Sequence, residues 1–405
     1  GNTKNAVLAA VSNALSSRRA EIFAANALDM ADAKELPAAT QKRLRFDESK
    51  LAVCLDGIAQ LIALPDPNGR VLMQTLLDDG LLLKKVSCPI GVIGVIFEAR
   101  PDALVQISTL CIKSGNCCLL KGGSETANTN AKLFEIILTA AMEAGLPEGS
   151  LGLLQSRQDV RDMLRLNGYI DLIIPRGSNA FVQYIMNNTS IPVLGHADGI
   201  CHVYVDKDAD IAEAVRIVTD SKAQYVSVCN AAETLLVRRD IAAEALPKIA
   251  KSLNDAGVTI VGCRETCGII AVQPASEEDW KTEYLDYKIS VKIVGSAREA
   301  VEHINRYGSG HTDAIVTKNA QTAEYFMDAV DSANVYWNCS TRFADGYRYG
   351  FGAEVGISTN KIHARGPVGL DGLMIYKYKL YGSGQTAGEY ADGKKHFKHI
   401  QLPCK

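Results

Sequence analysis

The residue with the greatest chemical reach is Cys229, in the run YVSVCNAAETLLV over residues 225–237. An amphipathic helical pattern precedes it and an apolar strand pattern follows, so the thiol falls on the loop between them. Ser227, Asn230, Ala231 and Ala232 surround it, where a core thiol would have bulky apolar neighbours. A loop thiol can reach a substrate carbonyl and carry an acyl group. The other reading is a small buried hydrophobe, the commonest state of a free cysteine. A free thiol is only a few per cent ionised at neutral pH, so loop N–H donors or a nearby cation must raise that fraction. On these residues alone both readings stand.

Two turns have the makings of anion sites. Lys121-Gly122-Gly123-Ser124 closes an expected strand and opens an expected helix, so a cation, backbone donors and a helix N-terminus converge. Pro175-Arg176-Gly177-Ser178 repeats the arrangement one unit later, and the pair suits a nucleotide lying across a sheet edge. Plain strand–helix turns are the alternative for both. Gly350-Phe351-Gly352 with Gly356, and Gly382-Ser383-Gly384 with Gly388, lack the final spacing of a dinucleotide fingerprint and read as turn glycines. No phosphate-binding loop of the lysine–serine type is present, which argues against a kinase domain. Cys263 and Cys267 have no second pair and no nearby histidine, so no metal site is expected. His311, in the polar run Gly308-Ser309-Gly310-His311-Thr312-Asp313, is expected to be structural.

The elements that must position these residues alternate along the chain. Residues 1–60 are alanine-rich and helical in pattern, with Val7, Val11, Leu15 and Ile22 on one face. Pro65-Asp66-Pro67-Asn68-Gly69 ends that region. Strands are expected at 92–97, 117–120, 151–154, 171–174 and 201–205, with intervening helices that include one opened by Pro101 and one N-capped by Ser124. A second alternating block follows a helix at 209–221. Its strands are expected at 234–237, 258–261, 269–272, 288–294, 314–316 and 335–337. Nearly all-apolar strands between helices indicate parallel sheets covered on both faces, hence an α/β fold. Residues 373–381 are strand-like but exposed in pattern, and 392–399 are charged.

At 405 residues the chain exceeds a single core, so two domains are expected. A net charge of −3 with dispersed basic residues leaves no footprint for nucleic acid. Eleven irregularly spaced cysteines, two of them adjacent, indicate a reduced cytoplasmic protein. No apolar run approaches the roughly 20 residues of a membrane span. Gly1 is not followed by a basic-then-apolar leader, so this end is read as a processed or domain start.

Four segments together carry a family resemblance. Residues 89–102, PIGVIGVIFEARPD, resemble a strand of the glutamate-5-semialdehyde dehydrogenase (γ-glutamyl phosphate reductase) family. Residues 227–234, SVCNAAET, resemble its nucleophile loop. The run from Val294 through His303 and Gly308–Asp313 to Ile315, and Gly356-Ile357-Ser358-Thr359 followed by His363-Ala364-Arg365-Gly366-Pro367, resemble its remaining motifs. The resemblance covers nearly the whole chain and stops near Tyr381.

It implies an aldehyde dehydrogenase-like fold of two Rossmann-like α/β domains with a small β oligomerisation extension. It also implies NADPH-dependent reduction of L-glutamyl 5-phosphate to glutamate 5-semialdehyde and phosphate, the second step from glutamate to proline. Cys229 falls on the family's nucleophile. Lys121, Ser124, Gly177, Ser178 and Glu283 fall on cofactor positions, and Ser124 stands where NAD-preferring relatives often carry a glutamate, which favours NADP(H). Arg100, Arg342 and Arg365 are the candidates to meet the substrate's carboxylate and phosphate. Residues 195–199, GHADG, fall where hydrolytic members of the superfamily carry a water-activating glutamate, with His196 in its place. Ala99 replaces the superfamily's oxyanion amide, so backbone N–H groups near Cys229 or Arg100 must stabilise that charge.

The expected division is 1–80 and 90–220, with 340–370, for a cofactor-binding domain. A catalytic domain at 221–339 carries the cysteine, and 81–89 with 371–405 form an oligomerisation arm. The expected partners are the small-molecule substrate and further copies of the chain, and a transient contact with a glutamate kinase is left open. The competing functions are a non-phosphorylating aldehyde dehydrogenase and a catalytically silent α/β binding protein.

Overall fold

The structure, a computed structural model, describes residues 1–36, 38–196, 198–351 and 353–404, the side chains of residues 38, 39 and 157 excepted. Ala197 and Gly352, which fall in two of the runs quoted above, lie outside the described residues. The chain divides into a first unit of Gly1–Leu194, Phe351–Gly356 and Val368–Lys405 and a second of Gly195–Gly350 and Ile357–Pro367. The boundary expected at 220 therefore lies at 194, because the strand Cys201–Val205 pairs within the second unit. Residues 340–350 and 357–367 also belong to the second unit, not the first.

In the first unit, Val71–Asp78 (β1) and Leu81–Pro89 (β2) form an antiparallel hairpin closed by Asp79-Gly80, with Gly80 at φ +70°. Asp-Gly is a preferred pair for a two-residue hairpin turn. Residues 71–78, expected with the helical region, instead form the strand paired with β2. Met374–Tyr381 pairs with the other side of β2, and Ile400–Leu402 with β1. The side chains from Ile375 to Tyr381 are exposed, as their pattern indicated.

Val92–Phe97 (β3), Cys117–Gly122 (β4), Leu151–Leu153 (β5) and Leu172–Arg176 (β6) form a parallel sheet in the order β5-β4-β3-β6. The chain steps outward from β3 to β5, then returns to the far side of β3. That reversal opens a crevice at the carboxyl ends of β3 and β6, the usual ligand position in such sheets. Ser124 does not cap a helix. It begins a 3₁₀ turn, Ser124–Thr126, and the helix proper is Ala127–Glu143. The buried carboxylate of Asp29 accepts from Asn128 N (3.1 Å) and Thr129 N (2.8 Å) at its start. Asp29 sits on the helix Arg19–Asp32, so the amino-terminal helices, with Val7, Val11, Leu15 and Ile22 buried, fix the helix that follows the Lys121 turn.

In the second unit, Cys201–Val205 (β7), Ala232–Arg238 (β8), Thr259–Gly262 (β9), Gln273–Pro274 (β10), Lys288–Val294 (β11), Thr312–Val316 (β12) and Asn334–Trp337 (β13) form a parallel sheet. Its order is β10-β9-β11-β8-β7-β12-β13. The expected strand at 269–272 is absent, because Ile269 N and Ile270 N both bond back to Thr266 O and continue the turn of the helix Arg264–Cys267. Alternation builds the two covered faces. Val203, Val205, Leu235 and Val237 pack with the helices Ile211–Ala223 and Arg239–Asp255. Tyr204, Leu236 and Ile315 pack with Ala300, Ile304, Ala323 and Phe326 of the helices Ala297–Tyr307 and Ala320–Ala329. Each such side chain contributes about 1.5–3 kcal/mol on burial, which makes the three central strands a stiff platform.

Candidate active site

Strands β8, β7 and β12 are neighbours and run parallel, so the residues at their amino ends meet on one edge. Cys201 opens β7 opposite Ala232, and Asp313 of β12 lies opposite His202. Cys229 stands on the loop before β8, and His311 immediately precedes β12. The fold therefore delivers three reactive side chains to one place. His311 Nε2 lies 3.2 Å from Cys229 Sγ. His311 is fully buried and Cys229 half-buried, so the sulfur is the more accessible partner.

The proton on His311 follows from its other contacts. The Cys201 thiol donates to the Cys229 carbonyl (3.2 Å), which commits its proton. Its sulfur can then only accept from His311 Nδ1, 3.7 Å away. Thr312 Oγ1 lies 2.8 Å from the same nitrogen. Nδ1 is assigned the proton on this network, and Nε2 presents its lone pair to the Cys229 thiol. Burial pushes the Cys201 thiol well above its ordinary range, so it remains S–H and does not compete as a nucleophile.

The nucleophile loop is held tightly. Asn230 Nδ2 donates to Ala344 O (2.8 Å), and Thr341 Oγ1 donates to Asn230 O (2.7 Å). A methyl group on Gly199 would stand 2.1 Å from Cys229 O and 2.4 Å from its Cα, so only glycine permits this approach. His196 donates from Nδ1 to Ile357 O (2.8 Å), and its ring meets that of His311 edge-on at 4.9 Å. Ligand atoms of His196, Cys229 and His311 all lie within 4.8 Å of one another. Linear spacing gave no such set, but the fold brings these three side chains of metal-ligating type together. His311, expected to be structural, instead faces the thiol. Its place directly ahead of the buried strand β12 was legible, but the approach to Cys229 comes only from the pairing of β7 with β8 and β12.

The other site residues separate by unit. Arg342 lies in the second, largely buried, with Nε donating to Gln224 Oε1 (2.9 Å). Burial and the nearby Arg348 charge lower its pKa while Cys229 raises it, which puts a cation within electrostatic reach of the sulfur. Arg365 is in the same unit, but its fork is engaged by Asp331, at 3.1 Å to the carboxylate and 2.9 Å to the carbonyl. Glu283 acts on Glu233, whose carboxyl burial pushes up to about 7. Glu233 pairs with the fully buried Lys222 (2.6 Å) and accepts from Leu285 N (3.3 Å), tying residues 283–285 to β8.

In the first unit, Lys121, Ser124, Gly177, Ser178 and Arg100 gather at the carboxyl ends of β3, β4 and β6. Lys121 is buried and donates to Gly122 O. Two carboxylates that the sequence reading passed over stand on the same turns. Glu98 accepts from Ser178 N (2.9 Å), and Glu125 accepts from Ala99 N (2.6 Å). Ala99 is held at φ +47°, a left-handed conformation that costs a non-glycine residue about 1 kcal/mol or more. The amides of these turns therefore already meet anionic oxygens. The donors suit a dinucleotide.

Comparison with known proteins gives the family. Residues 2–262 match the model of the Aldehyde dehydrogenase family. The chain is 60% identical over 401 residues to a gamma-glutamyl phosphate reductase of Acetivibrio thermocellus, covering 98% of this chain and 93% of that one. One from Pelotomaculum thermopropionicum is also 60% identical, covering 98% and 92%. The crystal structure of gamma-glutamyl phosphate reductase from Thermotoga maritima superposes with a TM-score of 0.93 at 40% identity, covering 95% of this chain and 94% of that one. An acetylating aldehyde dehydrogenase from Geobacillus thermoglucosidasius shares the fold at a TM-score of 0.64 and 16% identity, over 95% and 92% of the two chains. The chain belongs to the γ-glutamyl phosphate reductases, within the aldehyde dehydrogenase family.

Proposed function

We propose that the protein reduces L-glutamyl 5-phosphate to glutamate 5-semialdehyde and phosphate with NADPH, through a thioester on Cys229. The observation that carries this reading is the 3.2 Å contact between His311 Nε2 and Cys229 Sγ, in a chain with relatives of that name. His311 takes the thiol proton as sulfur attacks the acyl carbon. The carbon–oxygen bond to phosphate breaks, and the phosphate leaves with that proton. The thioester on Cys229 is the acceptor for hydride that a nicotinamide cofactor would supply when bound. The resulting thiohemiacetal expels the Cys229 thiolate, which takes a proton from solvent through His311, and the aldehyde departs. Arg342 supports the negative charge that develops near the sulfur. Lys121, Ser124, Gly177 and Ser178 are the residues that would hold the cofactor. Absence of a glutamate at 124 favours NADP, although Glu125 brings a carboxylate to that turn.

A water-activating reading has one observation in its favour: a His196 ring nitrogen lies within 4.8 Å of Cys229 Sγ, and its Nδ1 donates to Ile357 O. Phosphate separates the two. The reductase oxidises glutamate semialdehyde only with phosphate or arsenate present, whereas a hydrolytic enzyme turns over without either. The eleven cysteines are unpaired, which supports a reducing cytoplasmic setting. Among the described residues no helix is long and apolar enough to cross a membrane. The exposed strand Met374–Tyr381 supports self-association through its open edge, which sedimentation would test.

A further inference from the structure

We propose that His196, Cys229 and His311 form a zinc site, at which the ion holds the enzyme in a reversibly silent state. The ligand types are those zinc selects, one thiolate and two imidazoles. Ligand atoms on a shared tetrahedral zinc stand about 3.4–3.6 Å apart, given bond lengths near 2.0–2.3 Å. The present set has 3.2 Å between His311 Nε2 and Cys229 Sγ, with all three within 4.8 Å. Small side-chain rotations close the remainder.

The second shell points the same way. A zinc-binding histidine almost always donates its other ring nitrogen to an oxygen, which fixes the tautomer. Both histidines do so here, His196 to Ile357 O (2.8 Å) and His311 to Thr312 Oγ1 (2.8 Å). For His311 this leaves Nε2 as the nitrogen that faces Cys229 Sγ, at 3.2 Å. His196 and Cys229 are half-buried, which leaves a path for an ion and a fourth place for water. Nothing in the proposed reaction requires His196, so the set has a member the catalysis leaves unassigned.

Binding stands on this geometry alone, while silencing rests on Cys229 being the nucleophile. Zinc would occupy the sulfur lone pair that attacks and the imidazole lone pair that accepts the proton. The chelator-stripped full-length protein is titrated with Co²⁺ as a spectroscopic probe and with Zn²⁺ by calorimetry. The expected result is one Co²⁺ per subunit with a thiolate-to-cobalt absorption band, lost in Cys229→Ala. Affinity for Zn²⁺ should fall at least tenfold in His196→Gln, since even outer-shell changes cost about 10–100-fold. A readout that needs no variant is the rate of Cys229 alkylation by iodoacetamide in the wild type. Equimolar Zn²⁺ should slow it about tenfold or more, EDTA should restore it, and Mg²⁺ should leave it unchanged. A wild type without the cobalt band, a band that survives Cys229→Ala, or alkylation indifferent to Zn²⁺ would each overturn the site. Turnover reports separately: tight binding without inhibition would refute Cys229 as nucleophile and leave the zinc site standing.

Discussion

Gly199→Ala tests how closely the nucleophile loop is positioned. The added methyl would lie 2.1 Å from Cys229 O, 2.4 Å from Cys229 Cα and 2.5 Å from its Cβ. Ordinary contact begins near 3.4 Å, so the backbone must separate by about 1.0 Å at Cα (3.4 minus 2.4) and about 1.3 Å at the carbonyl oxygen (3.4 minus 2.1). These are backbone and Cβ atoms, which cannot swing aside as a flexible side chain would. A displacement of about 1 Å at a reacting group costs on the order of 100-fold in rate, or about 2.7 kcal/mol of transition-state stabilisation. Overpacking adds a stability loss of about 1–3 kcal/mol. The assay is kcat/KM for semialdehyde oxidation in phosphate, alongside alkylation of Cys229 by iodoacetamide and the urea midpoint. Gly57→Ala is the control, because nothing lies within 4 Å of a methyl there. In the half-buried interior of the helix Glu48–Ala63 it should stabilise by about 0.5–1 kcal/mol and leave kcat/KM alone. Activity and alkylation of Gly199→Ala within threefold of wild type would refute the reasoning.

Three further outcomes follow from named contacts. His311→Gln should lower kcat/KM by about 10²–10⁴-fold and slow Cys229 alkylation at pH 7, with the deficit shrinking as alkali replaces the base; equal alkylation at pH 7 would remove His311 from the proton transfer. Burial, with His202 and Lys292 adding to it, drops His303 from 6.5 to about 2, so the folded state refuses a proton that the unfolded chain takes. Its stabilisation is present above pH 6.5 and is lost as pH falls, by about 3 kcal/mol at pH 4.5. Denaturant midpoints from pH 6.5 to 4.5 should therefore fall less steeply in His303→Gln, and parallel slopes would exclude the effect. Lys121→Met should raise KM for NADPH about tenfold while kcat holds, and an unchanged KM would place the cofactor's contacts elsewhere.

The fold was legible wherever burial leaves only one pattern. Strands 92–97, 201–205 and 288–294 appear with the expected bounds, because covering both faces of a parallel sheet demands mostly apolar side chains. The hairpin at Asp79-Gly80 was also written in the sequence, but its flanking strands are amphipathic and lay beside a long helical region. The domain boundary was less visible, since residues 195–220 join the second sheet through pairing between strands far apart in sequence. Cys229 stood out by its loop and motif. His311 and Gly199 did not, because their roles exist only once β7, β8 and β12 lie side by side. The usual expectation also pointed away from that edge, since ligands in parallel sheets gather at carboxyl ends, as the Lys121 and Ser178 turns do. Glu98 and Glu125 were missed for a related reason: each carboxylate acts on a turn contributed by a different strand–helix unit.

Phosphate dependence of the Cys229 thioester bears most directly on the proposed chemistry. Enzyme mixed with glutamate semialdehyde and NADP⁺ without phosphate should release a burst of about one NADPH per subunit and then stop, as a stable acyl-enzyme accumulates. Intact-mass analysis should find that acyl group on Cys229, and added phosphate should discharge it and start sustained turnover. Sustained turnover without phosphate, or an acyl group absent from Cys229 after the burst, would contradict the account.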